Sequence, residues 1–159
     1  MNKMHKKQRL VVIGNGMAGM RCVEELLKRD SLRYRIAVFG AEPHTNYDRI
    51  MLSSVLAGEK EIDQIVINPL SWYGENEICL FAGDPVIAID RTLKTVTSES
   101  GRVEPYDKLL IATGSRPIVP PVQGLDLPGV CAFRDIADIE QMITASTEHK
   151  RAIVIGGGL

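Results

Sequence analysis

Three glycines at fixed spacing directly follow an apolar run near the start of the chain. The run Leu10–Ile13 predicts a buried parallel strand, and residues 14–19 (GNGMAG) continue it as G-x-G-x-x-G. In such a turn the first glycine lets the chain leave the strand sharply, the second lets the backbone approach a pyrophosphate, and the third lets the following helix pack closely. Because the helix amides and dipole then face the phosphates, the pattern predicts a dinucleotide-binding turn.

Glycines also mark ordinary turns, so the elements around this one decide its interpretation. Apolar residues at helical spacing predict a helix that ends near Asp30 and Ser31, and a second strand over Arg35–Phe39 stops at Gly40. Strand, turn, helix and strand together form the expected context. An acidic residue about 20 residues past the turn holds the ribose hydroxyls in such folds. Glu42 is the candidate, and a solvated loop carboxylate is the alternative interpretation.

Bulk composition excludes several classes of protein. The chain has 159 residues, 45% of them hydrophobic and 25% charged, which is typical of one globular domain and not of a disordered chain. The net charge of −1 gives no indication of nucleic acid or an anionic membrane as a partner. The apolar run after the basic N-terminus is too short for a signal peptide or a membrane span, so we expect a cytoplasmic protein.

The three cysteines are scattered along the chain and predict no metal or redox chemistry. Cys22, Cys79 and Cys131 form no C-x-x-C pair, so we expect neither a redox disulfide nor a zinc or iron–sulfur site in this stretch. Cys22 and Cys79 are predicted to be small buried residues. No residue has the pattern of a general acid, a general base or a nucleophile, and we name no catalytic residue.

The middle of the chain departs from a plain nucleotide-binding fold. The segment PHTNYDRIMLSSVLAGEK becomes helical from about Met51, and its Arg49 is either a charge partner for phosphates or an ordinary surface arginine. A short helix over Pro69–Glu75 and a strand over Ile78–Phe81 follow. Short antiparallel strands are then predicted over Val86–Asp90, Thr95–Ser98 and Val103–Pro105. This β-meander interrupts the predicted parallel sheet.

A further buried strand, Leu109–Ile111, runs into the small residues Ala112-Thr113-Gly114, which permit close approach to a ligand. A proline-rich connector and a helix over Ile136–Ala145, capped by Asp135, come next. Arg151–Ile155 then predicts a fresh buried strand that opens a second glycine-rich turn. The predicted class is α/β: a Rossmann-like domain with an inserted antiparallel β-meander, truncated at the start of a second, NAD-binding Rossmann unit.

This order of motifs resembles the FAD- and NAD(P)-dependent pyridine nucleotide oxidoreductases with two dinucleotide-binding domains. The glycine turns and YDKLLIATGSRP carry the resemblance, and NYDRIMLSSVLAGE resembles the large subunit of assimilatory NAD(P)H nitrite reductases. It implies an incomplete FAD-binding domain over residues 1–118, a connector and helix over 119–150, and the start of an NAD(P)H-binding domain over 151–159. The chain is then the front of a longer protein.

The resemblance also implies which residues bind the cofactors. Glu42 would hold the adenosine ribose, Arg49 would lie beside the FAD phosphates, and Val86 would contact adenine through its backbone. The other positions implied at the FAD are Gly14, Gly16, Met17, Ala18, Gly19, Ala112, Thr113, Gly114 and Arg116. Gly156 and Gly158 would start the NAD(P)H site.

The function implied is transfer of electrons from NAD(P)H through FAD to iron–sulfur and sirohaem centres in the missing downstream part, with nitrite reduced to ammonia. A small nitrite reductase subunit and a homodimer are the partners considered. An NADH-dependent ferredoxin or rubredoxin reductase is the first alternative. Leu52-Ser53-Ser54 lacks the lysine usual in that loop of ferredoxin reductases, which favours nitrite reductase. A catalytically silent, truncated nucleotide-binding fragment is the second alternative.

Overall fold

The computed structural model of the chain describes residues 7–148 and 151–156. The chain divides into two compact units. Unit 1 comprises Met1–Asp48 and Val66–Ser115, and unit 2 comprises Arg49–Ile65 and Arg116–Leu159. Each unit is described by itself below.

Unit 1 contains the strands and two of the helices. Its elements are β1 (Gln8–Ile13), α1 (Met17–Asp30), β2 (Tyr34–Gly40), α3 (Leu70–Glu75), β3 (Cys79–Ala82), β4 (Val86–Asp90), β5 (Thr95–Ser98), β6 (Val103–Pro105) and β7 (Lys108–Ile111). Unit 2 contains α2 (Leu52–Leu56), α4 (Ile136–Glu148) and two short 3-10 helices (Arg49–Met51 and Ile62–Ile65).

A four-stranded parallel sheet forms the centre of unit 1. Its strand order is β3-β2-β1-β7, and Val12 of β1 lies between Val38 of β2 and Leu110 of β7. β1 and β2 have continuous apolar runs because both faces of a parallel sheet are covered. The strands β4, β5 and β6 form a separate antiparallel sheet. The predicted α/β class and the inserted meander are thus confirmed.

Alternating side chains of the strands supply two different cores. On one face, Val12 and Val38 pack with Met20 and Val23 of α1 and with Tyr73 of α3. The opposite face carries a second cluster, which contains Val11, Ile13, Ala37, Phe39, Val96 and Tyr106. Helix α1 and the meander therefore cover opposite faces of the sheet, and β1 contributes side chains to both cores.

Parallel pairing brings the carboxyl ends of the four strands to one edge of the sheet. The chain passes from β1 through α1 to β2 on one side, and it returns as β7 on the other side of β1. Strand order therefore reverses between β1 and β7, and such a switch point leaves a crevice where ligands bind in open α/β sheets.

Unit 2 has a small apolar core of its own. The side chains of Leu52 and Val55 on α2 and of Ile136 and Ile139 on α4 are buried, and these helices are in contact. Asp135 caps α4, since its Oδ1 accepts a hydrogen bond from the amide of Asp138 at 3.0 Å. The predicted cap is confirmed, and the helix extends beyond the predicted end at Ala145.

Three predictions from sequence are wrong. The strand predicted as buried over Leu109–Ile111 forms as β7, but it lies at an edge of the sheet and its Ile111 is 60% exposed. Residues 151–156 form no strand, and Ile153, Val154 and Ile155 are 91%, 86% and 74% exposed. An apolar run forms a strand only beside a hydrogen-bonding neighbour, and no described strand pairs with it. Cys22 and Cys79 are exposed rather than buried. Cys22 lies off the α1 face that buries Met20 and Val23, and Cys79 begins the edge strand β3.

Two negative findings apply to residues 7–148 and 151–156. No helix in these ranges is long and apolar enough to cross a membrane. Their His, Cys, Asp and Glu side chains form no group of three or more that could hold a metal ion.

Candidate functional site

Gly14 makes the sharp exit from β1. Its φ of +111° is a conformation that residues with a side chain rarely adopt. The Gly14 amide donates to the carbonyl oxygen of Phe39 at 2.8 Å, and the Ala112 amide donates to Ile13 at 2.8 Å. A Cβ on Gly14 would collide with the carbonyl group of Ala112. The turn is therefore held between the ends of β2 and β7.

Gly16 faces open space, which distinguishes it from the other two glycines of the turn. A Cβ at Gly16 would meet nothing within 4 Å. Gly16 is also the N-cap of α1, and the first helical bond runs from the amide of Met20 to the Gly16 carbonyl at 3.0 Å. The amides of Met17, Ala18 and Gly19 precede that bond, no side chain caps them, and the first turn holds no acidic residue. Such an end attracts anions.

Gly19 provides the close packing of helix and strand. A Cβ at this position would lie 2.9 Å from the Gly14 carbonyl oxygen and 3.1 Å from the Cβ of Ala112. The three glycines thus have the three local environments that the motif predicts. Contact of this turn with a cofactor remains a prediction.

The carboxyl end of β2 carries the predicted ribose-binding acid. A Cβ at Gly40 would lie 3.1 Å from the Cβ of Asn15, so a larger residue there would press against the glycine turn. The acid is found two residues later, at Glu42. The half-buried Glu42 carboxylate accepts a hydrogen bond from the Tyr47 hydroxyl at 2.6 Å, and its main-chain oxygen accepts one from Gly83.

Small residues follow β7, as expected. Ala112 is half-buried against Gly14 and Gly19, while Thr113 and Gly114 are exposed, and Gly114 has a φ of +74°. Val86 begins β4 and packs against the meander-side core of unit 1. Unit 1 therefore brings the residues after β7 directly to the glycine turn.

Sequence reasoning missed a polar network beside the turn. The Tyr73 hydroxyl donates to Asn15 Oδ1 at 2.7 Å, and the main-chain amide of Asn46 donates to the same hydroxyl at 3.3 Å. Asn46 Nδ2 donates to Asn68 Oδ1 at 2.6 Å, and Asn68 Nδ2 donates to Glu24 Oε1 at 3.0 Å. Burial raises the pKa of the Tyr73 hydroxyl, although its bonds with Asn46 and Asn15 oppose that rise. The only sequence signal was the polar asparagine inside G-x-G.

The remaining predicted residues belong to unit 2. Arg49 is half-buried at the start of its 3-10 helix, and its Nη1 donates to the carbonyl oxygen of Arg134 at 2.9 Å. Arg116 is exposed, and Gly156 has a φ of +102°. Gly158 lies outside the described residues. Roles for these four positions stay predictions.

Similarity to known proteins agrees with this geometry. The chain is 51% identical over 156 residues to a nitrite reductase [NAD(P)H] of Bacillus subtilis, covering 98% of this chain and 19% of that protein. It is 47% identical to the assimilatory nitrate reductase electron transfer subunit of the same organism, with coverage of 97% and 20%. The chain therefore spans about a fifth of the length of these relatives.

Solved structures show the same fold. A ferredoxin reductase from Rhodopseudomonas palustris superposes with a TM-score of 0.82 at 25% sequence identity, over 89% of this chain and 35% of that one. The family model described as pyridine nucleotide-disulphide oxidoreductase matches residues 8–159. Members of that family bind FAD and NAD(P)H. The chain belongs to the pyridine nucleotide-disulphide oxidoreductase family.

Proposed function

We propose that this chain is the FAD-binding part of an NAD(P)H-dependent oxidoreductase of the nitrite reductase type. The observation that carries the proposal is the open space at Gly16, in front of the uncapped amides of α1. A nucleotide pyrophosphate fits that space because it brings negative charge and acceptor oxygens to unpaired donors. The 51% identity to a nitrite reductase supports the choice within the family.

The proposed cofactor contacts combine the glycine turn of unit 1 with positions that the family resemblance implies. The amides of Met17, Ala18 and Gly19 bind the pyrophosphate, and the Glu42 carboxylate accepts hydrogen bonds from the ribose hydroxyls. Val86 contacts adenine through its backbone. The residues assigned to the rest of the FAD are Gly14, Ala112, Thr113, Gly114, Arg49 and Arg116. FAD, when bound, supplies the chemistry that links a hydride donor to acceptors of single electrons.

The activity of the whole protein belongs to this proposal as well. NAD(P)H is the electron donor, its site begins at Gly156 and Gly158, and nitrite is reduced to ammonia. The iron–sulfur cluster and sirohaem lie outside residues 1–159, in a protein as long as the relatives. The boundaries at residues 118 and 150, a cytoplasmic location, a homodimer and a small partner subunit remain predictions.

A titration of the 159-residue chain with FAD tests the proposal. We expect weak but saturable quenching of flavin fluorescence, competition by ADP, and loss of both when Gly16→Val fills the open space. No saturation up to about 1 mM FAD contradicts the proposal, since this limit corresponds to only about 4 kcal/mol of binding. We expect no NADH-dependent consumption of nitrite by this chain alone.

A ferredoxin-type NADH reductase is the second candidate, and the similarity to the Rhodopseudomonas palustris structure favours it. Leu52-Ser53-Ser54, at the start of α2, argues against it because this segment lacks the expected lysine. The coding sequence after Leu159 distinguishes the two candidates, since only a nitrite reductase continues into cysteine-rich ligand clusters. A chain that takes up no FAD supports a silent fragment.

A further inference from the structure

A chain of buried polar side chains connects helix α1 to the glycine turn. Asn46 and Asn68 are 2% and 3% exposed, although asparagine is seldom buried. Their side-chain amides extend from Glu24 on α1 to Asn46, whose main-chain amide donates to the Tyr73 hydroxyl. That hydroxyl in turn bonds Asn15. Polar groups buried this deeply are costly unless they are bonded, so a network of this kind specifies one arrangement of the segments it joins.

The carboxylate of Glu24 sets the orientation of the two asparagine side-chain amides. A carboxylate only accepts hydrogen bonds, so Asn68 turns its Nδ2 towards Glu24 and its Oδ1 towards Asn46. Asn46 then donates through Nδ2, and its own Oδ1 is buried without a hydrogen-bond partner in the described part of the chain. Reversing the amides would leave oxygen facing oxygen at Glu24. The side-chain amides of Asn68 and Asn46 therefore have one orientation, and the main-chain amide of Asn46 remains the donor to Tyr73.

Asn15 is held from two sides. Its Oδ1 accepts the Tyr73 hydroxyl at 2.7 Å, and its Nδ2 donates to the carbonyl oxygen of His44 at 3.2 Å. The Asn46 amide reaches the same tyrosine at 3.3 Å. Asn15 lies between the first two glycines of the turn, and His44 and Asn46 lie within the segment from Glu42 to Tyr47. One phenol thus bonds both segments.

We propose that Tyr73 is a positioning residue whose hydroxyl fixes the spacing between the pyrophosphate-binding turn and the ribose-binding Glu42. This inference rests on the proposed function and assigns part of that site to a residue outside both motifs. Tyr73 itself touches no cofactor. It acts through Asn15 on the turn and through Asn46 on the segment that carries Tyr47, the hydrogen-bond donor to Glu42.

The test compares Tyr73→Phe with Tyr34→Phe in the 159-residue chain. Tyr34 is a half-buried tyrosine packed against the same core cluster, and its hydroxyl is not part of the network. We expect Tyr73→Phe to raise the dissociation constant for FAD about tenfold, as for loss of one buried hydrogen bond, and Tyr34→Phe to change it less than about twofold. Equal affinity of Tyr73→Phe and the parent overturns the inference.

A double-mutant cycle separates positioning from general destabilisation. If Tyr73 acts through Asn15, then Tyr73→Phe weakens FAD binding little further once Asn15→Ala is present. Independent, multiplying effects of the two substitutions overturn the inference, because they show that the hydroxyl does not act through Asn15.

Hydrogen exchange keeps the test decisive even if the parent chain binds no FAD. In that case the proposed function fails, but the network is still measurable. We expect Tyr73→Phe to speed amide exchange at residues 14–20 by about tenfold, with Tyr34→Phe close to the parent. Unchanged exchange in Tyr73→Phe overturns the positioning role independently of the cofactor.

Discussion

The Tyr47 hydroxyl donates to the Oε2 atom of Glu42 across 2.6 Å. Tyr47 is buried and Glu42 is half-buried, so a neutral phenol orients the carboxylate that is proposed to bind the ribose. Hydrogen bonds to a charged acceptor are among the stronger ones. Tyr47 therefore supplies a hydrogen-bond donor to the proposed ribose-binding acid.

Tyr47→Phe should weaken FAD binding without unfolding the chain. The substitution removes the donor to Glu42 and keeps the buried ring. We expect the binding free energy for FAD to become less favourable by about 1.5 to 3 kcal/mol. Fluorescence titration with FAD measures it. Tyr34→Phe is the control, and an unchanged dissociation constant for Tyr47→Phe means that Glu42 needs no such orientation.

Gly16→Ala should separate ligand binding from folding. The added methyl group meets no protein atom within 4 Å, so the free energy of unfolding should change by less than about 1 kcal/mol. FAD binding should weaken at least tenfold, because the methyl group occupies the space proposed for the pyrophosphate.

Gly74→Ala is the matched control for that variant. Gly74 in α3 also has open space around its missing Cβ, and it lies in helical backbone. The same methyl group there should leave FAD affinity unchanged and stabilise the chain by about 0.5 to 1 kcal/mol. Equal FAD affinity in Gly16→Ala and Gly74→Ala would argue that no ligand approaches the turn.

Gly14→Ala should destabilise the fold itself. Its backbone has a φ of +111°, and a Cβ would lie 2.6 Å from the carbonyl carbon of Ala112. We expect a loss of about 2 to 4 kcal/mol in the free energy of unfolding, measured by urea titration. A loss below about 1 kcal/mol would mean that β7 moves away from β1 easily.

The meander should lose stability in acid through Asp84. Burial alone would raise the pKa of its carboxyl, but hydrogen bonds from Ser100 and Ser98 and the nearby Arg102 prevail, so the pKa lies below the ordinary 3.8. The charged Asp84 therefore stabilises the folded chain at pH values above the pKa that Asp84 has in the unfolded chain. This stabilisation is lost as the pH falls through the pKa of the folded state. Urea titrations at several pH values should show the difference between the parent and Asp84→Asn shrinking towards low pH.

Asp126→Asn serves as the control for that series, since Asp126 is an exposed carboxylate in the loop before α4. Its difference from the parent should stay small at every pH. A difference for Asp84→Asn that is constant with pH would show that the charge of Asp84 does not stabilise the meander.

Local patterns predicted much of the fold because they depend on near neighbours in the sequence. The strands Val86–Asp90, Thr95–Ser98 and Val103–Pro105 have the predicted bounds, since turn residues separate short alternating runs. Helix α1 likewise starts directly after the predicted glycine turn, with Gly16 as its N-cap. Contacts across the chain gave no such signal. Tyr73 and Asn15 are 58 residues apart, and only the packing of α3 against the sheet brings them together.

The wrong predictions share one physical cause. Whether a residue is paired or buried depends on segments distant in sequence, which a local pattern does not specify. The run Arg151–Ile155 has strand composition, but no described strand pairs with it. Cys22 and Cys79 are apolar enough for a core, but their positions on α1 and on an edge strand expose them. For the candidate site, the glycines and Glu42 followed from spacing, whereas Tyr47 and Tyr73 required tertiary structure.

The order of the strands has a consequence for synthesis. Ile13 pairs with Phe39, which is close in sequence, but its other neighbour, Ile111, is translated about 100 residues after Ile13. Closing so long a loop slows pairing, so Ala112 reaches Gly14 late in folding. A nascent chain that ends before β7 would carry the glycine-rich bend with the β7 side of β1 unpaired.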